Sequence, residues 1–194
     1  CNRFITSVYD KSRFLYFIYY GILYVNEKIP QKHIMRYPQF FATQKIIERL
    51  ENGGKGGIIW HTQGSGKSFS MVFYAGNMIK ELKNPSIVVV TDRNDLDNQL
   101  FTTFAKCSDY LKQEPVQIEN RQDLNDKLEG RKSGGIFFTT LQKFEEETGV
   151  FSNRDDILVL VDEAHRSHYG LDATIKFDKE KMEAYKKYGT AKFL

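Results

Sequence analysis

Apolar residues in this chain fall into short unbroken runs, separated by stretches whose apolar positions recur at helical spacing. Residues 87–90, 136–138 and Ile157–Val161 are continuous runs without polar alternation. That is how strands read when both faces are covered, as in a parallel sheet. Residues 58–60, Ile-Ile-Trp, form a shorter run of the same kind and predict a further buried strand. Residues 116–118 predict a short edge strand. Between these runs, 38–50 places Phe41, Ile46, Ile47 and Leu50 at near-helical spacing and ends at Gly53-Gly54. A second helix is expected from 69 to about Leu82, carrying Met71, Val72, Tyr74, Ala75, Met78 and Ile79. Further helices are expected over 95–104 and 121–128, the latter closed by Gly130. Residues 176–187 are charged and read as an exposed helix, and 191–194 as the start of a strand. Strands alternating with helices over short connections make an α/β fold: a mostly parallel central sheet flanked by helices.

The most apolar stretch, 14–25, changes this picture at one end. It is shorter than the roughly 20 residues a bilayer span needs. Tyr16, Tyr19, Tyr20 and Tyr24 also give it polar tips. It reads as a helix packed between domains, and 28–32, with Pro30, as a linker. Residues 1–36 are therefore expected to be the tail of an upstream domain plus a connector, with 37–194 forming the α/β domain. At 194 residues the chain can bury one full core. Its 41% hydrophobic and 27% charged content is that of a soluble globular protein. A net charge of +3 permits a polyanion partner without requiring one. Cys1 and Cys107 have no metal-ligand spacing and no disulfide framework, which suits a reducing compartment. No secretory signal is visible, no membrane association is expected, and a start on Cys suggests a piece of a longer polypeptide. The acidic run at 145–147 reads as a solvated face.

Candidate chemistry begins at 57–68, G-I-I-W-H-T-Q-G-S-G-K-S. A strand, a glycine loop, Lys-Ser and a helix form the phosphate-binding loop of nucleoside triphosphatases. Glycines let backbone N–H groups close around phosphate oxygens, and the helix N-terminus adds donors and a positive dipole end. Thr62, Gln63, Gly64, Ser65, Gly66, Lys67 and Ser68 are the expected nucleotide-binding residues. Lys67 can reach the β- and γ-phosphates, and the Ser68 hydroxyl can ligate Mg²⁺. The usual first glycine of the pattern is His61 here. The run Ile157–Val161 then ends in Asp162-Glu163-Ala164-His165. Ligands of open α/β sheets bind at the carboxyl ends of strands. Asp162 is thus expected to meet the Mg²⁺ on Ser68, and Glu163 to orient and deprotonate the attacking water.

With T-D-R (Thr91-Asp92-Arg93) after the second strong run and T-T (Thr139-Thr140) after the third, these residues resemble the first RecA-like domain of superfamily 2 helicases and translocases. W-H-T-Q-G-S-G-K-S, V-V-V-T-D-R-N-D-L-D-N-Q-L, F-F-T-T-L-Q-K-F and V-D-E-A-H-R-S-H-Y-G look more closely like the motor of the restriction subunit of type I restriction-modification enzymes. R-Y-P-Q-F-F-A upstream is similar to that family's approach to the motor, and His61 is what this branch carries. The likeness runs from about residue 10 to about residue 170.

The resemblance implies ATP and Mg²⁺ as cofactors. It implies an adenine contact from Gln39, with Gln44 a weaker candidate; the plain alternative is a surface glutamine on a helix. Lys67, Asp162 and Glu163 would be catalytic, and Ser68 and Asp162 would hold the metal. His165 would couple nucleotide state to the facing domain, or be merely a satisfied polar residue at a strand end. Thr91, Arg93, Thr139 and Thr140 would touch the double-stranded DNA backbone without reading sequence, with ordinary strand-end capping as the alternative. Methyltransferase and specificity subunits would be partners, and the setting a bacterial or archaeal cytoplasm. The family's upstream nuclease cluster has no convincing copy here. The second RecA-like domain, with an arginine finger worth a rate factor of about 10³ or more, would also lie outside the chain. Two other readings stay open: another superfamily 2 helicase or remodeller, and a non-hydrolysing nucleotide-binding module.

Overall fold

The computed structural model describes residues 9–54, 56–62, 64–91, 94–140, 152, 154–162, 175–178 and 183–186. In chain order the elements are α1 (Lys11–Tyr20), β1 (Ile22–Val25), β2 (Gln31–Ile34), α2 (Tyr37–Glu51), α3 (Lys67–Glu81), β3 (Ser86–Thr91), α4 (Asn94–Lys106), α5 (Ser108–Leu111), β4 (Pro115–Gln117), α6 (Arg121–Glu129), β5 (Ile136–Thr140), β6 (Ile157–Val161), β7 (Ile175–Asp178) and β8 (Glu183–Lys186). They form two compact units: Cys1–Leu82 with Thr103–Gln113, and Lys83–Thr102 with Glu114–Leu194. No helix of the described residues is long and apolar enough to cross a membrane.

The first unit is helical with a β-hairpin. The helix expected over 14–25 stops early, because Gly21 closes its last turn with an N–H to Phe17 O at 2.9 Å. A Cβ at Gly21 would lie 2.7 Å from Phe17 Cδ1. Ile-Leu-Tyr-Val then leaves as β1, as β-branched and aromatic residues favour. The stretch expected to be a linker makes the turn into β2, which pairs antiparallel with β1. On α2 the buried residues are Gln39, Phe40 and Thr43, while Phe41 is exposed. The helix presents this face because Phe40 stacks on Phe17, with centroids 5.0 Å apart, and meets Tyr16 edge-on at 5.2 Å. On α3 the run from Val72 to Met78 is buried throughout. Within it Asn77 donates to Phe73 O at 2.7 Å and accepts from the Tyr16 hydroxyl.

The second unit contains the parallel sheet, in the order β4-β5-β3-β6. Val88 of β3 stands opposite Phe137 of β5 on one side and Val159 of β6 on the other. β3 and β5 are buried along their whole length, as unbroken apolar runs predict. β6 is only half-buried, because it is an edge strand of the four. Below the sheet, Val88, Val90, Phe137, Ile118, Leu124 and Leu128 pack as one core. Arg154 ties the N-terminal end of this layer together. It donates to Asp156 Oδ1 and Oδ2 at 2.8 and 2.7 Å, to Leu128 O at 2.7 Å and to Ser86 Oγ at 3.0 Å.

Two further expectations are corrected. Residues 58–60 do not form a strand: they run outside every sheet, with Ile58 and Trp60 each 86% exposed. Three residues offer few ladder bonds, and Gly53, Gly54, Gly56 and Gly57 just before them lose the most backbone entropy on ordering. The described residues of the stretch 176–187 do not form a helix either. β7 and β8 make an antiparallel pair, with Phe177 opposite Ala184. The period-two alternation of Ile175-Lys176-Phe177-Asp178 outweighs the helix propensity of the charged residues after it.

Candidate nucleotide-phosphate site

The loop before α3 has the backbone a phosphate cradle needs. Gly64 and Gly66 sit at φ +78° and +83°, the left-handed region that costs an L side chain strain. Between them Ser65 N–H closes on Thr62 O at 3.2 Å. Left-handed glycines alternating with ordinary residues turn successive N–H groups to one side, making an anion-binding concavity. α3 starts at Lys67 with Gly66 as its cap residue, so the helix's N-terminal donors and positive dipole end stand at this loop. Lys67 and Ser68 occupy its first two positions and are half-buried. Thr62 and Gly64 are exposed.

Two further observations fit an anionic ligand. Among the described residues, His61 Nδ1 and Ser65 Oγ are buried and have no hydrogen-bond partner. Buried polar atoms are nearly always paired, so this loop holds polar groups that the described residues do not satisfy. A phosphate oxygen is an acceptor of the kind such groups pair with, and Lys67, at the start of α3, carries a positive charge. The Ser68 hydroxyl is an oxygen donor of the kind Mg²⁺ takes.

Gln39 is drawn into the same loop. It is 3% exposed and therefore not a surface glutamine. Its Oε1 accepts the Arg36 N–H at 2.8 Å, and its Nε2 donates to Gly66 O at 3.0 Å. Gly66 O also accepts Ser70 N–H at 3.0 Å and Ser70 Oγ at 3.1 Å. Gln44 lies beside the Tyr16 hydroxyl instead. A contact that linear spacing does not reveal comes from the hairpin. The His33 ring on β2 stacks on Phe69 with centroids 4.4 Å apart, supporting the first turn of α3 from outside. No motif joins two residues so far apart in sequence; only the unexpected hairpin brings them together.

In the second unit the strand-end residues stand at the carboxyl edge of the sheet. Thr91 pairs in register with Thr140, and Val90 with Thr139. All three threonines are buried, and among the described residues Thr91 Oγ1 and Thr139 Oγ1 have no partner. Asp162 follows β6, is half-buried, and extends the ladder through its N–H to Val90 O at 2.9 Å. Gln63, Arg93, Glu163 and His165 lie outside the described residues.

A glycine-loop phosphate cradle in a chain with a parallel α/β sheet is the RecA-like arrangement of an ATPase. The chain belongs to the SWI2/SNF2 ATPase family, which matches residues 38–189. Within that family its relatives are endonuclease subunits of type I restriction enzymes. It is 46% identical over 169 residues to the HindI endonuclease subunit of Haemophilus influenzae, covering 79% of this chain and 16% of that protein. It is 33% identical over 180 residues to such a subunit of Methanocaldococcus jannaschii, covering 84% of this chain and 16% of that protein. To the SsaAORF53P endonuclease subunit of Staphylococcus saprophyticus it is 31% identical over 143 residues, covering 70% of this chain and 15% of that protein. The chain thus spans about one sixth of the length of these relatives.

Proposed function

We propose that this chain is the nucleotide-binding part of an ATP-driven translocase of double-stranded DNA, acting in a type I restriction endonuclease before cleavage. The left-handed pair Gly64 and Gly66 heading α3 carries the reading, because it leaves backbone donors for phosphate and little else. Lys67 and Ser68 take the phosphates and Mg²⁺, and Asp162 supplies a second oxygen donor to the cation. Bound Mg²⁺ would neutralise charge on the phosphates. Glu163 accepts the proton of the attacking water, and His165 passes the change in nucleotide state onward. Thr91, Arg93, Thr139 and Thr140 meet DNA phosphates in this reading, which the place of Thr91, Thr139 and Thr140 at the carboxyl edge of the sheet supports. Hydroxyl and guanidinium donors to phosphate fix register without reading bases, as a motor moving over any sequence requires. The proposed partners are the methyltransferase and specificity subunits of the same complex. Residues 1–36 are proposed to lead in from an upstream nuclease domain. The match to an ATPase family is equally met by a second reading, another superfamily 2 helicase or remodeller that does not cleave DNA.

The test uses the intact polypeptide with radiolabelled ATP. Glu163→Gln should retain ATP affinity within about threefold and lose turnover by about 10²-fold or more, as removal of a positioned proton acceptor does. Lys67→Ala should lose ATP affinity as well. Turnover by Glu163→Gln equal to wild type would refute the assignment and favour a module that only binds nucleotide.

A further inference from the structure

We propose that the outer face of the β1–β2 hairpin is a contact surface for the phosphate backbone of double-stranded DNA. The proposal rests on double-stranded DNA as the partner and adds a surface that holds it, besides the strand-end residues. Side chains alternate across a two-stranded ribbon. On one face Leu23 and Val25 are buried, and His33, opposite Leu23, stacks on Phe69 of α3. The other face carries Tyr24, with Lys32 in register across from it, and Ile34; all three are exposed. Lys28 in the turn and Arg36 after β2 are exposed as well. From 28 to 36 the chain has two lysines, one arginine and no acid.

The charge of this face is unopposed. Glu27, the acid next to the turn, is already engaged: Oε1 takes Lys106 Nζ at 2.7 Å and Oε2 takes Gln31 Nε2 at 3.2 Å. Among the described residues Lys28 and Lys32 pair with no carboxylate. Lysine, arginine and tyrosine side chains are the common donors to DNA phosphates. Protein–protein interfaces, by contrast, are depleted of lysine, so the composition favours DNA over a protein partner. The ribbon is also firmly mounted. Asn26 N–H donates to Lys106 O at 2.8 Å, Asn26 Nδ2 to Asp109 Oδ2 at 2.9 Å, and Met35 N–H to Gly21 O at 2.7 Å. Pro30 restricts the backbone just before β2. A surface ordered in advance loses little entropy on binding. The His33–Phe69 stack seats the hairpin on the first turn of α3, so DNA held here bears on the helix that the phosphate loop begins.

The test titrates the intact polypeptide into fluorescein-labelled duplexes of unrelated sequence and follows anisotropy over a series of KCl concentrations. Lys28→Gln combined with Lys32→Gln removes two exposed cations. Lys28→Arg combined with Lys32→Arg keeps the charge, and Lys45→Gln, exposed on α2 and paired with Glu48, controls for loss of any surface lysine. The glutamine pair should bind every duplex about tenfold or more weakly at low salt. Its plot of log affinity against log salt should be shallower by about 2, because each phosphate contact contributes about 0.9 to that slope. The arginine pair and Lys45→Gln should match wild type, and ATP binding without DNA should be unchanged in all. Wild-type affinity and slope in the glutamine pair would overturn the proposal, as would weaker binding at an unchanged slope or an equal loss in the arginine pair. Undiminished DNA binding with lost assembly onto the methyltransferase and specificity subunits would also overturn it, assigning the face to protein. If the wild type bound no duplex at any salt, the reading of DNA as partner would fail together with this surface. Duplex binding and DNA-stimulated ATP use by the wild type would leave that reading standing whatever the variants do.

Discussion

Cys107 shows how burial alone decides the chemistry of a residue. It is fully buried, and desolvation pushes its thiol up to about 11, Lys106 only partly opposing this. The thiolate is the nucleophile, so native Cys107 should resist iodoacetamide at pH 8 and react promptly in urea; peptide mapping reads this site separately from Cys1. Stoichiometric labelling of Cys107 in the native protein would contradict its placement. Gln39 makes the complementary case. Its type and its place near the loop were legible in R-Y-P-Q-F-F-A, but both hydrogen-bond partners were not. One of those partners is a carbonyl 27 residues away. A linear pattern names a side chain that can bond; only the packing of Phe40 on Phe17 turns it toward Gly66. Gly64 and Gly66 were readable because a left-handed backbone tolerates few other residues.

At the scale of elements, legibility followed continuity. β3 and β5 were plain from their apolar runs, because strands buried on both faces read as near-continuous apolar stretches, with polar residues here only at their ends. The hairpin of β1 and β2 was hidden, since aromatic residues at both helical and strand spacing leave the period ambiguous until Gly21 breaks it. Close packing between α3 and α5 yields one prediction. A Cβ at Gly76 would lie 2.2 Å from Tyr110 Cε1, so Gly76→Ala should destabilise the protein by about 1–3 kcal/mol, as overpacked cores do. Chemical denaturation measures it, and an unchanged midpoint would deny the contact. The Arg154 clasp yields another. Its guanidinium, through hydrogen bonds first and charge second, holds the Asp156 carboxyl below its ordinary value of 3.8. A group depressed on folding stabilises above its unfolded pKa, and that contribution fades as pH falls through the lowered folded value. Stability of wild type should therefore drop below about pH 4 more steeply than that of Asp156→Asn. Parallel acid limbs in the two proteins would show that the clasp is energetically silent.

At the scale of the whole molecule, the α/β class, the glycine loop and the family were legible because they rest on residue types that few other structures need. The fate of residues 58–60 was not. An apolar triplet signals burial, but a sheet place also requires enough ladder bonds to offset the ordering of the glycines before it. The central claim is that the loop of Gly64, Gly66, Lys67 and Ser68 drives movement along DNA by ATP turnover. The most direct measurement combines the intact polypeptide with its methyltransferase and specificity subunits on linear duplex bearing an unmethylated site. ATP consumption and strand breakage are followed together. The account predicts DNA-stimulated ATP use with breaks far from the site, both abolished by Lys67→Ala. ATP use and distant breakage persisting in Lys67→Ala would contradict it.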